Sequence, residues 1–338
     1  MSEKGHTMKG GGINIGYGYL KMKTDAEYFQ IASVVEKAVR GNMGTMGAVR
    51  ETVAVVVDNA TYEIGADAHL ISTTQNTSKS VSDFWYDTIQ YQALKQLVID
   101  RLAEESEDED EKWVVTLGIA VNQYKRPQIR KQLAEIWKRT HETSDGKQLI
   151  IDTVMVVPEP LGAYTSFITR DESQYKGLRI MVLDPGYRTT DWLEIRDGKV
   201  IDRHADAINI GMFDVYNEIA RRINIDHDAG MDIVAIEQAV LLERELRVRG
   251  TNIEVKKYYD VAVKAVGAKI ESRIRTEIGA ANETDLVIVA GGGADSMFDS
   301  VKKSFKKHTV EKCENPQEAN AVGYWLMSNR VAQRHAAE

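Results

Sequence analysis

Two short segments, one in each half of the chain, share a residue pattern that suits the binding of an anion. The first begins at Asn14 and ends at Lys21, and the second begins at Asp184 and ends at Asp191. Each follows or continues an apolar run and places a glycine and a tyrosine before another strand-like stretch, which predicts a β-hairpin with glycine at the turn. Because glycine permits positive φ, backbone N–H groups of such a turn can approach an anion closely. Two facing hairpins would clamp a polyphosphate and its metal, as in a duplicated nucleotide-binding fold.

The polar side chains of these hairpins suit phosphate and metal. Asp184 lies at a strand end just before a glycine turn and suits a hydrated Mg²⁺, contacted through water, or else caps the turn. Lys21 would direct a compact ammonium group at phosphates, or it is an exposed strand lysine. The hydroxyls of Thr189 and Thr190 would contact phosphate or metal-bound water, although β-branched residues also suit an ordinary strand. Asp191 either holds the loop by hydrogen bonds or contacts the metal's water shell.

Composition limits the class of protein. The chain has 338 residues, enough for two domains, and its 43% hydrophobic and 28% charged content is typical of soluble globular proteins. A net charge of -8 argues against direct nucleic-acid binding through bulk electrostatics. The single cysteine, Cys313, permits no intramolecular disulfide, which fits a cytoplasmic location. No apolar run reaches the ~18 residues that a membrane span requires. The polar, glycine-rich residues 1–12 are expected to form a flexible tail.

The elements that position these residues alternate between strands and helices, which predicts an α/β protein. A flexible loop is expected at 41–47, and the acidic block at 104–111 is either a solvated loop or a site for a basic partner. The region 214–278 is expected to be largely helical. The other predicted elements are strands at 52–58, 60–64, 113–121, 149–157, 179–184 and 286–290, and helices at 83–103, 126–140 and 318–328.

Five segments in order resemble the actin-like ATPases, most closely the bacterial and archaeal actin-like proteins of the ParM type. They resemble the two phosphate loops, the two connecting segments and the adenosine loop of that family. The segments are residues 14–21 and 184–191 for the phosphate loops, 158–163 and 315–323 for the connecting segments, and 291–294 for the adenosine loop.

The resemblance implies an actin-like fold, which is a duplicated ribonuclease H-like architecture of two domains with a nucleotide cleft between them. Domain I would comprise residues 1–177, with a small inserted subdomain at about 41–111. Domain II would comprise residues 178–317, with a small helical subdomain at about 214–278. The C-terminal helix, 318–338, would return to domain I.

The resemblance also implies a set of nucleotide-binding residues and one catalytic acid. Glu159 would orient the attacking water, as phosphoryl transfer requires, or else it is an acid at a helix N-terminus. Tyr17 and Tyr187 are either site residues or packing residues of the hairpins. Glu237 and Arg244, on one face of a predicted helix, would reach the sugar or base, or form a solvated face. The implied nucleotide contacts are Asn14, Gly16, Tyr17, Gly18, Lys21, Gly186, Tyr187, Arg188, Thr189, Thr190, Gly291, Gly292, Gly293 and Ala294.

Two positions depart from the family pattern. Asn14 stands where the first phosphate loop normally begins with aspartate, and an amide brings no negative charge to a metal site. Mg²⁺ would then be held less tightly, or hydrolysis would be slower. Arg188 stands where many relatives have a small residue, and its guanidinium would neutralise γ-phosphate charge, form a salt bridge across the cleft or point to solvent.

By resemblance, the expected function is that of a cytoskeletal protein that binds ATP or GTP with Mg²⁺, hydrolyses it slowly and polymerises. Its task would be plasmid DNA segregation or intracellular positioning, with DNA reached through a DNA-binding adaptor rather than directly. One alternative is a non-hydrolysing interaction protein in which the nucleotide is structural, which Asn14 favours. The other is a small-molecule kinase of the same superfamily.

Overall fold

The chain forms two units in the computed structural model, which describes residues 8–38, 50–71, 85–108, 110–279 and 281–337. The first unit comprises Met1–Thr169 with Asn320–Glu338, and the second comprises Arg170–Ala319. The loop expected at 41–47 and the start of the helix expected at 83 lie outside the described residues. The domain limits expected at 177 and 317 stay a prediction.

A mixed sheet forms the centre of the first unit. β1 pairs antiparallel with β2 and parallel with β7, and β9 continues the parallel part beside β7. The strands predicted at 113–121 and 149–157 are therefore confirmed, and the structure shows that they are neighbours. In spatial order the strands are β3 (Tyr28–Ala32), β2 (Tyr19–Lys23), β1 (Lys9–Ile15), β7 (Lys112–Ile119), β9 (Gln148–Pro158) and β8 (Thr140–Glu142).

Helices and a smaller antiparallel sheet complete this unit. The predicted hairpin at 52–64 is confirmed, and its second strand also pairs with a strand that precedes it in the chain. Thr88 caps the first long helix by accepting a hydrogen bond from the Tyr91 backbone at 3.2 Å. The elements are β4 (Val35–Lys37), β5 (Val53–Val57), β6 (Ala60–Ile64), α1 (Ile89–Glu104), α2 (Val121–Tyr124), α3 (Pro127–Trp137), α4 (Glu159–Ile168) and α9 (Ala319–Ala337), with 3-10 turns at Ala66–Ile71 and Trp85–Asp87.

The glycine-rich N-terminal segment corrects one expectation, because its described part is a buried strand rather than a tail. β1 begins at Lys9, and a Cβ on Gly12 would overlap the backbone of Ala321 and Trp325 in α9. Ser328 of the same helix donates a hydrogen bond to the Gly11 carbonyl at 2.8 Å. The glycines therefore let α9 lie directly on the strand, a contact between the two ends of the sequence.

A second mixed sheet forms the centre of the other unit. β10 pairs antiparallel with β11 and parallel with β16, whose four residues are all buried. This repeats the arrangement of β1, β2 and β7. The strands are β12 (Lys199–Val200), β11 (Thr190–Arg196), β10 (Arg179–Pro185), β16 (Leu286–Val289) and β17 (Thr309–Lys312), with β13 (Asp206–Ile208) also paired to β11.

The region 214–278 is helical as expected except for a short hairpin that the prediction lacked. Buried residues recur at every fourth position along its longest helix, from Tyr258 to Ile278, and pack into the core of this unit. None of the described helices is long and apolar enough to cross a bilayer. The remaining elements of the unit are α5 (Met212–His227), α6 (Ile233–Leu241), β14 (Leu246–Val248), β15 (Thr251–Ile253), α7 (Lys256–Ile278) and α8 (Ala294–Ser304), with a 3-10 turn at Asp202–His204.

Candidate functional site

The two predicted hairpins are confirmed, and their turns have the same geometry. In the first, the Gly16 N–H donates to the Tyr19 carbonyl at 3.1 Å. In the second, the Gly186 N–H donates to the Thr189 carbonyl at 2.8 Å. Each turn therefore spans four residues that begin with glycine and tyrosine, and each connects a central strand of its sheet to the antiparallel neighbour.

Ser33, just after β3, braces the first turn. Its backbone N–H donates to the Gly18 carbonyl at 2.8 Å, and its hydroxyl donates to the Gly16 carbonyl at 2.7 Å. In a trans peptide the N–H points opposite to the C=O. Holding these two carbonyls against Ser33 therefore directs the N–H groups of Tyr17 and Tyr19 to the other face of the turn.

The N-terminus of α5 braces the second turn in the same sense. The N–H of Met212 donates to the Gly186 carbonyl at 3.1 Å, and that of Phe213 donates to the Tyr187 carbonyl at 2.8 Å. The N–H groups of Tyr187 and Arg188 are consequently directed away from α5. Both turns thus direct backbone N–H groups to the face opposite their braces, which is an arrangement that suits an anion.

The two tyrosine rings pack inside their own units. The Tyr17 ring lies 4.5 Å from that of Trp85, centroid to centroid. The Tyr187 ring lies 5.9 Å from Phe213 and 6.1 Å from Tyr216. These contacts support the packing alternative for both side chains, and leave the backbone of each tyrosine as its expected contribution to the site.

Strand register places the polar side chains in matching rows. Asn14 lies opposite Lys21, and Asp184 lies opposite Asp191. Directly opposed residues project to the same face of a sheet. Asn14 is 6% exposed, Asp184 3% and Asp191 0%. An amide in one unit therefore occupies the position that a buried carboxylate occupies in the other.

The threonine hydroxyls are already used as donors. Thr189 Oγ1 donates to Asp191 Oδ2 at 2.7 Å, which supports the loop-holding alternative for Asp191. Thr190 Oγ1 donates to the Ile210 carbonyl at 2.8 Å. A hydroxyl has one proton, so in this arrangement neither can donate to a phosphate oxygen, which only accepts. Their lone pairs can still accept a hydrogen bond from metal-bound water.

The predicted adenosine loop lies against the second hairpin. Gly291 has φ +86°, and a Cβ there would overlap Asp184 Oδ1 and lie 3.0 Å from its Cγ. The Gly293 N–H donates to the Pro185 carbonyl at 2.7 Å, just before α8 begins at Ala294. Glycine at 291 is therefore required both by the backbone conformation and by the approach of the Asp184 carboxylate.

Arg188 brings a positive charge to the second turn, and it forms no ion pair with a carboxylate in the part of the chain that the structure describes. Its guanidinium carbon lies 5.0 Å from the centroid of the Phe213 ring, a cation–π contact. Its buried Nε has no hydrogen-bond partner in the described parts of the chain. The stacking holds the guanidinium against Phe213 of α5, and an anion that reached it would complete its hydrogen bonds.

Glu159 is the first residue of α4, and α9 fixes the turn that carries it. The Tyr324 hydroxyl donates to the Glu159 carbonyl at 2.9 Å. Asn320 Oδ1 accepts from the Ala163 N–H at 2.9 Å. Both residues are buried. The position of Glu159 agrees with either expected role, since a carboxylate is also favourable at a helix N-terminus.

One expected pair was wrong. α6 ends at Leu241, so Arg244 lies beyond the helix and does not share its face with Glu237. Arg244 instead donates to Gln238 Oε1 at 3.0 Å, and Glu237 is buried and accepts from the Tyr187 hydroxyl at 3.2 Å. Just after the end of α6 the chain enters the left-handed region at Glu243, whose φ is +49°.

The sequence pattern does not mark Ser33 or Tyr324, and it marks Asn320 only as part of the segment 315–323, although each of the three holds a turn or helix that carries predicted site residues. The role of Ser33 depends on the pairing of β2 with β3, and the other two depend on α9 packing against α4. Within the described residues, no group of three His, Cys, Asp or Glu side chains is arranged to hold a metal.

Two family models match the chain. One, described as the N-terminal domain of actin-like proteins, matches residues 12–162. The other, described as the C-terminal domain of the archaeal actin homologue MreB-like, matches residues 182–303. No curated protein sequence matches.

Solved structures of actin-like proteins are similar over nearly the whole chain. The crystal structure of apo psk41 ParM has a TM-score of 0.70 at 20% identity, covering 97% of this chain and 99% of that one. The structure of a 15-stranded ParM filament from Clostridium botulinum has a TM-score of 0.77 at 19% identity, covering 96% of this chain and 99% of that one. The crystal structure of the archaeal actin homologue Ta0583 in complex with ADP has a TM-score of 0.74 at 17% identity, covering 96% of this chain and 100% of that one. At these identities the likeness establishes the α/β two-domain actin-like fold alone.

Proposed function

This chain belongs to the actin-like proteins, and from that premise we propose that it binds ATP or GTP with Mg²⁺, hydrolyses it slowly and polymerises into filaments. The observation that carries the proposal is the pair of equivalent turns. Each presents backbone N–H donors on one face, with a buried amide or carboxylate, Asn14 or Asp184, at the same register position. A single turn of this kind is a common feature, whereas its repetition at the centre of both sheets supports a duplicated phosphate-binding function.

The second hairpin fits a metal-bound polyphosphate. Asp184 offers a buried carboxylate, for which the missing Cβ of Gly291 leaves room. Arg188 offers a positive charge that no carboxylate of the described residues neutralises. Mg²⁺ bound with the nucleotide would supply a Lewis acid and ordered water. Asp184 would hold that water, Arg188 would bind phosphate oxygens, and Thr189 and Thr190 would accept hydrogen bonds from the water shell.

The first hairpin would bind phosphate without adding a metal ligand of negative charge. Lys21 lies directly opposite Asn14 across the strands, so the two side chains share one face of the sheet. Asn14 can orient water through its amide but does not attract Mg²⁺ electrostatically. We therefore expect binding to be retained and hydrolysis to be slow.

Glu159 is the proposed catalytic residue. Tyr324 and Asn320 hold the turn that carries it, so the carboxylate is pre-positioned on a rigid element rather than on a loop. Positioning of an attacking water is the main protein contribution in phosphoryl transfer. Substitution of Glu159 by alanine is expected to lower phosphate release while leaving nucleotide affinity within a few-fold.

Self-association needs exposed contact surface, and the second unit offers apolar side chains for it. Leu241 is 55% exposed, Leu242 63% and Ile225 66%. Large aliphatic side chains that remain this exposed are typical of interaction surfaces. We propose a second copy of this chain as their partner, with a DNA-binding adaptor linking the assembled protein to plasmid DNA or another cargo in the cytoplasm.

The first experiment is sedimentation of the purified protein with Mg²⁺ and ATP, GTP, ADP or no nucleotide, with phosphate release measured in the same tubes. Pelleting that requires a triphosphate, together with slow release, is the expected result. Asn14→Asp should accelerate release and shorten the lifetime of the pellet. Nucleotide binding without pelleting at high protein concentration would refute polymerisation and favour the interaction protein. Phosphate transfer to a small acceptor would instead support the kinase.

A pair of matched variants tests the proposed contact surface. Leu241→Lys with Leu242→Lys adds two charges and removes exposed apolar area, and should raise the critical concentration for pelleting at least about tenfold. The control, Thr251→Lys with Asn252→Lys, adds the same charge at two exposed positions of the neighbouring β14–β15 hairpin. Equal effects of the two pairs would assign the change to net charge and remove the leucines from the contact.

A further inference from the structure

An open cavity of about 470 Å³ lies in the second unit between α7, α8 and the segment that follows α8. Its lining contains none of the residues proposed above to bind nucleotide, and it would serve another ligand. Cavities that hold small molecules usually measure about 300–1,000 Å³, so this one is large enough.

Part of the cavity wall is apolar, and polar side chains such as Asn282 and Ser304 line the rest. The two helices meet closely at Gly267, where a Cβ would lie 2.9 Å from Ser300 Oγ. Along the same helices, the lining continues with Ile270, Ile274 and Val301, which are at most 8% exposed. A ligand seated here would therefore bury an apolar body against side chains that already belong to the core of the unit.

The rim of the cavity is positively charged. Lys303, Lys306 and Lys307 line it, and none of them forms an ion pair with another residue in the described segments. Arg275 also lines it, but Glu271 neutralises that charge at 3.0 Å. The three lysines therefore concentrate positive charge at one opening of a chain whose net charge is -8.

The end of α8 explains only part of this charge. Helix C-termini attract cations, and both Lys302 and Lys303 lie in the last turn of α8. Lys302 has a partner in its own unit, since its ammonium lies 5.2 Å from the centroid of the Phe298 ring. Lys306 and Lys307 follow the helix and gain little from its dipole, which acts within the last turn.

From the apolar wall and the cationic rim together, we infer that this cavity binds a small organic anion with an apolar body. The anionic group is a carboxylate, sulfonate or phosphate that meets the lysines, and the acyl or aromatic body fills the space between α7 and α8. The site is independent of the proposed nucleotide site and does not rest on it.

The probe for the test is the dye 8-anilinonaphthalene-1-sulfonate, an aromatic sulfonate whose fluorescence rises in apolar surroundings. Its Kd is measured by fluorescence titration in the full chain, with and without saturating Mg²⁺ and ATP. We expect saturable binding that the nucleotide does not displace. Displacement by the nucleotide would place the dye in the hairpin site and overturn the inference.

Two charge-reversed variants locate the binding. Lys306→Glu with Lys307→Glu should weaken the dye Kd at least roughly tenfold. The control is Lys264→Glu with Lys269→Glu, which makes the same charge change at exposed positions of α7 outside the lining and should leave the Kd within about twofold. Thermal unfolding of both is followed, and if the first pair lowers Tm the neutral Lys306→Gln with Lys307→Gln replaces it. Equal Kd values in the lysine variants and the control would overturn the inference.

Competition distinguishes the sources of the anion. Dodecanoate represents a lipid-derived carboxylate and 1-naphthyl phosphate an aromatic phosphate ester, while dodecanol provides the same acyl length without charge. Displacement of the dye by either anion but not by dodecanol supports the site and identifies its preferred class. Displacement by dodecanol at the same concentration would refute the role of the lysines. Loss of sedimentation in the lysine variants with unchanged dye binding would assign these lysines to contacts between copies.

Discussion

Gly291→Ala tests the contact on which the proposed metal site depends. The glycine has φ +86°, and an added Cβ would overlap Asp184 Oδ1 while lying 3.0 Å from the Pro185 carbonyl oxygen. The Pro185 carbonyl belongs to the strand and cannot yield easily. The Asp184 carboxylate must therefore move, and we expect the Mg²⁺-dependent affinity for nucleotide to fall.

The expected magnitude follows from the overlap. Cβ atoms do not come closer than 3.0 Å to other heavy atoms, so Oδ1 must retreat by more than about 1 Å. A displacement of this size in a positioned group can cost about a hundredfold. The left-handed backbone adds a cost of about 1–2 kcal/mol to folding when a Cβ is present. For a domain of this size that lowers Tm by about 2–4 °C per kcal/mol.

The control variant separates these two effects. Gly250 has φ +85° in the β14–β15 turn, and a Cβ there would meet nothing within 4 Å. Gly250→Ala therefore carries the backbone cost without the clash. Nucleotide affinity is measured by titration of a fluorescent ATP analogue with and without Mg²⁺, and stability by thermal unfolding of the same samples.

We expect both variants to lose similar stability and only Gly291→Ala to lose affinity. A folded Gly291→Ala protein that binds the Mg²⁺–nucleotide as tightly as the original chain would refute the role of Asp184. Equal loss of affinity in both variants would attribute the effect to global destabilisation rather than to the displaced carboxylate.

Two further predictions concern stability. Burial lowers the pKa of His141 to about 4, and the charges of Lys95 and Arg139 act in the same direction. The folded state favours the neutral ring. The free energy of unfolding is therefore unaffected by this group above about pH 6.5, and it falls by at most about 3 kcal/mol as the pH is lowered towards 4. Chemical denaturation at pH 7 and pH 4.5 should show a smaller acid loss in His141→Gln, and equal losses would contradict this. Tyr324→Phe leaves the Glu159 carbonyl without its donor and should cost about 1–3 kcal/mol, while an unchanged Tm would show that this bond contributes nothing.

The residues next to the turns made the hairpins predictable. The apolar run at 180–183 identifies a central strand, and in both hairpins glycine followed by tyrosine identifies the turn. The position of Glu159 at the start of a helix was equally visible, because prolines on both sides limit where a helix can begin. These features are local, so periodicity and turn chemistry suffice to recognise them.

Contacts between distant segments were not predictable in this way. The glycines before Ile13 look like a flexible tail in isolation, and only the packing of α9 on β1 explains them.

The β14–β15 hairpin did carry a local signal, since Leu246 and Val248 alternate with arginines before Gly250. Its strands are three residues long, and the strong helical patterns on both sides obscured them.

The braces behind the two turns suggest that the hairpins differ in what they contribute. A single serine, Ser33, supports the first turn, whereas the positive end of α5 lies directly behind the second. The second turn also carries Arg188 and a buried carboxylate, Asp184, while the first has a neutral amide at the matching position. If the proposed site is correct, most of the attraction for the bound metal would therefore lie in the second hairpin. Exchange between a carboxylate and an amide is therefore expected to have different effects at the two positions. Asp184→Asn should abolish Mg²⁺-dependent binding, whereas Asn14→Asp should mainly change the rate of hydrolysis.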